Sequence, residues 1–480
     1  MKIAIEGCCH GQLDDIYGTL KLLEEKEGTK IDLLLICGDF QAIRNMGDLQ
    51  CMAVPPAYRH LGTFWKYYAG IAKAPYPTIF IGGNHEASNY LWELYHGGWV
   101  CDNIYYLGQA GVIQYNGVRI GGLSGIFNDH HYQRGHYEKS PYSPSNIRSV
   151  YHVREYDVQR LMQIKQPMDV FLSHDWPRGI ERYGDLATLL RWKKYFYNEV
   201  LSNTLGSPAN EQLLTHLKPD YWFSAHLHVK YPAVVDHDKW QKQTYSQAVR
   251  DILSGKPAAQ TLPAAPVANP DEIAIDDDSD QDEQPEPSMP PPETQPQDDQ
   301  GNTDEILIDD SDEDGDDDQV VETPNASITR FLSLDKCMPR RGFLQVVDIP
   351  AKNDQGFAYD LEWLSIVKAM DPYLSLQHHP IAIPLSDQVQ STIQEALTSL
   401  QQVDLQIPMN FVPSHSAHDP ATQPSHELIH QWQCPVENQQ TRDFCTLLGL
   451  DNKINGGCQP PATHEVDSPS KRFKPESSDQ

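Results

Sequence analysis

Five short apolar runs in this chain end in the same way. Lys2–Glu6, Ile31–Cys37, Thr78–Ile81, Met168–Leu172 and Tyr221–Phe223 each have the length of a buried strand. Each leads at once into a polar run: Gly7-Cys8-Cys9-His10-Gly11, Gly38-Asp39-Phe40, Gly82-Gly83-Asn84-His85-Glu86, Ser173-His174-Asp175 and Ala225-His226-Leu227-His228. Amphipathic patterns at Tyr17–Lys26 and Tyr151–Ile164 separate some of the runs. Alternating strands and helices predict a layered α/β fold, and in such folds the loops at the carboxyl ends of strands converge on the ligand. His, Asp, Asn and Cys are metal-ligand residues. Singly each is weak, since a His after a strand is usually a satisfied loop residue and Asp39 after Gly38 could cap a turn. His226 and His228, two apart on an extended segment, point to one side. Together the five runs predict a metal centre.

Val112–Tyr115 and Val118–Gly121 flank Asn116-Gly117, a tight-hairpin signal, so the sheet is expected to be mixed. Residues 1–238 read as the catalytic domain and 239–327 as an insertion. The net charge of −30 is concentrated there: residues 271–322 hold 23 Asp and Glu and no Lys or Arg, and without them the charge is −7. The acidity is therefore no argument against a nucleic-acid partner. Pro257 to Pro270 and the acidic block cannot bury enough apolar surface to fold. Thr329–Leu334 and Phe343–Ile349, joined through Pro339-Arg340-Arg341-Gly342, read as a hairpin within 328–350 that completes the first domain's sheet. A partly helical region, 351–450, follows with helices at Leu361–Met370 and Asp387–Leu400, then a disordered tail, 451–480.

Nine scattered cysteines lack the regular spacing of a secreted disulfide scaffold, which favours a reducing compartment. Met1 to Glu6 reads as a strand rather than a signal peptide, and Ile31 to Cys37 is too short to span a bilayer. The expectation is a soluble, intracellular protein without a membrane partner.

The order of the five runs resembles that of calcineurin-like metallophosphoesterases, which implies a layered sandwich of mixed sheets flanked by helices. The resemblance implies that Cys8, His10 and His228 hold one divalent cation, that Asn84, His174 and His226 hold another, and that Asp39 bridges them. His85 then faces the phosphate as electrostatic partner or general acid. Such a cation pair clamps a phosphate and activates water for in-line attack. No Lys or Arg lies within the five ligand runs, so the cations and His85 are expected to carry the charge stabilisation. Cys8 departs from the usual Asp; its soft thiolate favours Zn²⁺ or Fe²⁺ over Mg²⁺, while a buried structural cysteine is the alternative. Fe²⁺, Zn²⁺ and Mn²⁺ are the candidate cofactors.

Longer motifs narrow the resemblance to RNA lariat debranching enzymes: GCCHGxLD at Gly7–Asp14, CGDFQAIRN at Cys37–Asn45, GNHE at Gly83–Glu86, GGxSGIF ending at Phe127, IRSxYHVR at Ile147–Arg154, SHDWP at Ser173–Pro177, AHLHVK at Ala225–Lys230 and FLxLDKCxPRRxFLQV from Phe331. This implies hydrolysis of the 2′–5′ phosphodiester at the branch of an intron lariat, in the nucleus, with the cytoplasm as a second compartment. The alternative is a protein Ser/Thr phosphatase or another phosphodiesterase of the same fold. Such phosphatases resemble GDxxDRG after the second strand, whereas this chain reads Gly38-Asp39-Phe40-Gln41-Ala42-Ile43-Arg44.

Between Phe127 and Arg154 basic residues interleave with aromatics, a pattern suited to unstacked bases and backbone phosphates. Tyr132, Arg134, Tyr137, Arg148 and Arg154 are the candidate RNA contacts. Trp176 either stacks on a base or plugs the core, and Glu86 and Asp14 read as helix-terminus carboxylates. Within the insertion, Ile273–Ser279 and Ile306–Ser311 are near-copies, a β-prone triplet followed by acids. They resemble peptides that bind a ubiquitin-like modifier, and Ser279 and Ser311 sit among acids as kinase sites do. Ser470–Pro475 is a small basic cluster of nuclear-import type.

Overall fold

The structure is a computed structural model that describes residues 1–240 and 327–458. Strands β1 (Lys2–Glu6), β2 (Leu33–Ile36), β3 (Thr78–Phe80), β4 (Gly98–Cys101) and β5 (Ile104–Tyr106) build most of one sheet. Strands β6 (Ala110–Tyr115), β7 (Val118–Leu123), β8 (Val170–Ser173), β9 (Tyr221–Ser224) and β10 (Tyr231–Asp236) build most of the other. Three later strands complete them: β11 (Ile328–Ser333), β12 (Leu344–Asp348) and β13 (Phe357–Tyr359). The six-stranded sheet runs β12-β1-β2-β3-β5-β4 and the seven-stranded one β10-β11-β9-β8-β7-β6-β13. The five predicted runs are β1, β2, β3, β8 and β9, so the ligand loops come from both sheets.

Alternation along these strands explains the layering, since successive side chains take opposite faces. Ile3, Ile5, Leu33 and Leu35 join Val170, Leu172 and Phe223 in a core between the sheets. Their neighbours Ala4, Leu34 and Ile36 face outward onto the helix Leu13–Glu27, through Leu13, Ile16 and Leu20. On the far side Phe171 and Trp222 meet a second outer layer that includes Leu161, Leu213, Leu364 and Ile393. The result is a helix–sheet–sheet–helix sandwich. The β6–β7 hairpin turns at Asn116 and Gly117, at φ 49° and 76°, as an Asn-Gly turn requires.

Two expectations need correction. Residues 328–350 are not a hairpin: β11 runs parallel to β9 and antiparallel to β10, whereas β12 pairs with β1 in the other sheet. β12 takes the edge beside β1 and β11 fills the place between β9 and β10, so the intervening strap crosses from one sheet to the other. The helix expected over Tyr151–Ile164 begins only at Glu155, because His152 bridges to Ile126 and Arg154 is extended. The C-terminal region joins the sandwich: β13 extends the second sheet at β6, and helices Leu361–Met370 and Ser386–Leu400 share its outer core. Among the described residues no helix is long and apolar enough to cross a membrane. The near-copies with Ser279 and Ser311, and the basic Ser470–Pro475, lie outside the described residues.

Candidate metal centre

Cys8, His10, Asp39 and His228 converge so that one ligand atom of each lies within 4.8 Å of the others. The Nε2 atoms of His10 and His228 face each other at 3.2 Å. Burial keeps both rings neutral, moving His10 to about 4, with Asp39 opposing, and His228 to about 2, where neighbouring His10 adds to the effect. Two neutral nitrogens aimed at one point, beside a carboxylate and a thiol, fit a divalent cation.

Alongside, Asn84 Oδ1 lies 3.2 Å from His174 Nε2, which lies 3.5 Å from Asp39 Oδ1. His174 Nδ1 contacts the Cys37 carbonyl at 2.8 Å; the N–H that this bond requires leaves Nε2 as the lone pair facing Asn84 and Asp39. The His226 ring lies 5.0 Å from that of His174, and burial moves it to about 4. Asp39 lies between the two groups, 3.7 Å from His10 Nε2 through its other oxygen. Burial opposes its ionisation, yet His174, His85, His10 and the His85 N–H, donating to Oδ1 at 2.8 Å, hold its carboxyl well below the usual range. All seven predicted ligands are thus brought together, and the His85 ring stands 5.9 Å from that of His10.

Backbone strain marks the same loops. His10, Asp39, His226 and His228 all adopt φ between 45° and 61°, a left-handed conformation that non-glycine residues avoid and that clusters at functional sites. A Cβ on Gly83 would fall 2.2 Å from Asp39 Oδ1, so only glycine lets the third loop pass the bridging carboxylate.

Burial, then Asp39 and Glu6, push the Cys8 thiol well above its usual range. The His226 N–H contacts its sulfur at 3.2 Å. A cation must therefore displace a proton to gain that ligand. Glu6 beneath it is fully buried with neither carboxylate oxygen hydrogen-bonded, and burial raises its pKa so that it keeps its proton.

Glu86 does not cap a helix. It is buried and accepts the N–H groups of Phe40, Gln41 and Gly83 at 2.8, 2.8 and 2.9 Å, bracketing the second loop to the third. Asp14 does sit in the first turn of its helix and also binds Lys66 and Tyr67. Trp176 is a plug, fully buried, its Nε1 shared between the Ala225 carbonyl and Ser333.

Of the RNA candidates, Arg134 and Arg148 are exposed and Tyr132 and Tyr137 half-buried. Tyr132 packs on Phe127, and Tyr137 stacks on His378 at 3.7 Å. Arg154 differs from the other four. It is fully buried, ion-paired with Glu138 at 2.5 Å and bonded to the His131 and Ser149 carbonyls, so it pins the loop from beneath. Sequence reasoning missed His378 and Lys336, both remote from the ligand runs. Lys336 lies in the DKC of the Phe331 motif, the one signal that could have found it.

Sandwich and site together define a metal-dependent phosphoesterase, and residues 1–230 match the calcineurin-like phosphoesterase family model. Residues 326–453 match a second family model, the lariat debranching enzyme C-terminal domain. The chain is 44% identical to lariat debranching enzyme A of Xenopus laevis, an alignment covering 94% of this chain and 70% of that one. With the lariat debranching enzyme of Homo sapiens it shares 42% identity, covering 94% and 69%. With that of Arabidopsis thaliana it shares 41%, covering 94% and 86%. The chain belongs to the lariat debranching enzyme family.

Proposed function

We propose that this site hydrolyses the 2′–5′ phosphodiester at the branch of excised intron lariats, giving linear RNA for turnover. The observation that carries the reading is the convergence of Cys8, His10, Asp39 and His228 beside Asn84, His174 and His226, in a chain of this family. A pair of divalent cations, Fe²⁺, Zn²⁺ or Mn²⁺, would supply the charge that clamps the phosphate and activates the attacking water. Cys8, His10 and His228 would hold one and Asn84, His174 and His226 the other, with Asp39 between them. Water attacks phosphorus, the bond to the branch 2′-oxygen breaks, and that oxygen leaves as a hydroxyl on receiving a proton from His85. The other product carries a 5′-phosphate. The His85 main-chain bond to Asp39 fixes its loop against the bridging carboxylate. Arg134, Arg148, Tyr132 and Tyr137 would hold the RNA, and the basic Ser470–Pro475 supports action in the nucleus.

The test is turnover of branched RNA beside a linear 3′–5′ strand and a phosphopeptide, with Fe²⁺, Zn²⁺ and Mn²⁺ added separately. Branch cleavage is expected; peptide dephosphorylation without branch cleavage would favour the phosphatase alternative and reject this reading. His85→Ala is expected to bind branched RNA while losing about 10²- to 10⁴-fold in cleavage rate, the usual worth of a general acid.

A further inference from the structure

Lys336 is the cation that the five ligand runs lack. It lies in the strap between β11 and β12, which three main-chain bonds clamp to the first ligand loop. Cys8 N–H donates to the Asp335 carbonyl at 3.4 Å, Cys337 N–H to the Cys8 carbonyl at 3.1 Å and Gly7 N–H to the Phe343 carbonyl at 3.1 Å. Cys8 and Lys336 form a parallel bridge. The approach is so close that a Cβ on Gly7 would fall 2.2 Å from the Asp335 oxygen.

The Lys336 side chain is half-buried. Among the described residues it has no carboxylate partner. Neighbouring Asp335 is taken instead by Arg341 at 3.1 Å and by the Lys336 main chain at 2.7 Å. A partly buried ammonium without a counter-ion is costly, so the position is satisfied when an anion arrives. The residue also belongs to the segment matching the lariat debranching enzyme C-terminal domain, not to the calcineurin-like segment that carries the metal ligands.

The position decides which anion. The scissile phosphate belongs to the donors around Asp39 and to His85, whose main-chain N–H donates to Asp39 Oδ1 at 2.8 Å and whose ring nitrogen lies 3.2 Å from Asn84 Nδ2. Lys336 is bridged to Cys8, on the opposite side of the centre from Asn84. A branch nucleotide carries a second phosphodiester on the same ribose, at its 3′-oxygen, which a 2′–5′ linkage without a branch lacks. Resting on the debranching reading, we propose that Lys336 binds this non-scissile 3′-phosphate and so selects a branched nucleotide.

The experiment compares a branched trinucleotide with a 2′–5′-linked dinucleotide bearing a free 3′-hydroxyl, on the parent protein, Lys336→Met and Lys336→Arg. Lys336→Met is expected to lower kcat/KM for the trinucleotide by about tenfold or more beyond any loss on the dinucleotide, the scale of one charge-assisted contact. Lys336→Arg restores most of it. Anisotropy binding in chelator, where nothing turns over, is expected to show the same selective weakening in Kd. Equal losses on both substrates would move Lys336 to the scissile phosphate and overturn the proposal. So would an unchanged Kd accompanied by a lowered Tm or metal content. If the parent cleaves neither substrate, the debranching reading fails by itself, and the chelator titrations still decide the role of Lys336.

Discussion

Arg44 and Ser414, 370 positions apart, meet through a hydrogen bond of 2.7 Å from the guanidinium to the hydroxyl. Arg44 follows the second ligand loop and is fully buried. It pairs with Asp48 at 2.9 Å and Glu93 at 2.8 Å, and its plane stands 3.9 Å above the Tyr90 ring. Next to it Asn45 Nδ2 donates to the Ser416 carbonyl, and His418 N–H to the Arg44 carbonyl. The Ile43-Arg44-Asn45 portion of the motif is therefore the socket for the C-terminal segment. Arg44→Met strands two buried carboxylates and should cost about 3–5 kcal/mol. Chemical denaturation measures it, with Arg44→Lys recovering only part, because it cannot make the two-pronged contact with Asp48.

Glu86 gives a second test of loop geometry. Glu86→Ala leaves three main-chain donors without an acceptor, at about 1–3 kcal/mol for each buried group. The loop carrying Asp39 then loses its bracket to the one carrying Asn84. A lowered Tm together with weaker cation binding by calorimetry is expected. A lowered Tm with unchanged cation affinity would show that the loops hold their places without the bracket.

Burial gives His96 an acid sensitivity away from the metal centre. Its ring stacks on Phe444 at 5.1 Å, and burial followed by Arg160 moves it from 6.5 to about 3. The unfolded chain takes up this proton near pH 6.5 and the folded chain only near 3. Stability is therefore intact above 6.5 and is lost as pH falls from there toward 3. His96→Phe removes the site of protonation, so the variant should lose about 2 kcal/mol less than the parent between pH 6.5 and 5. Paired urea melts in chelator at the two pH values provide the comparison.

Cys8 is the candidate ligand whose chemistry departs from the usual Asp, so it is the place to test the choice of cation. In Cys8→Asp a hard carboxylate replaces a soft thiol, so preference should shift from Zn²⁺ or Fe²⁺ toward Mn²⁺ and Mg²⁺. The pH dependence of binding should flatten as well, because the buried thiol must release a proton on coordination and an aspartate at neutral pH need not. Binding isotherms for each ion at two pH values test both statements. An unchanged preference would show that Cys8 does not select the ion.

The seven candidate ligands were legible in the sequence because each lies in a loop that follows a strand, and a parallel strand delivers its loop to one end of the sheet. The Asn116-Gly117 turn was legible for a similarly local reason. What was lost is long-range. Thr329–Leu334 and Phe343–Ile349 are adjacent runs that look alike, and nothing local says that one will pair with β9 and the other with β1. Glu86 sits two residues before a helix, which invites a cap, while two of its three partners, Phe40 and Gln41, lie more than forty positions away. Lys336 comes to lie beside Cys8 only because the strap crosses from one sheet to the other. Arg154 looked like its neighbours in a basic, aromatic stretch, and only burial separates it from them.

That separation is testable in the loop itself. Arg134 and Arg148 are exposed, whereas Arg154 is buried against Glu138. Exposed cations that meet phosphate contribute affinity without supporting the fold. Arg134→Ala and Arg148→Ala should weaken branched-RNA binding, flatten its salt dependence by about one unit of slope each, and leave Tm unchanged. Arg154→Ala should do the reverse. It strands the Glu138 carboxylate and two carbonyls, at about 3–5 kcal/mol for a broken buried pair. The loop would then loosen where His136, bonded to Asp157 at 2.8 Å, and Tyr137, stacked on His378, still hold it. Hydrogen exchange over residues 128–154 separates the two outcomes: faster exchange in Arg154→Ala alone supports the assignment. Equal exchange with equal loss of RNA binding in all three variants would return Arg154 to the RNA-contacting set.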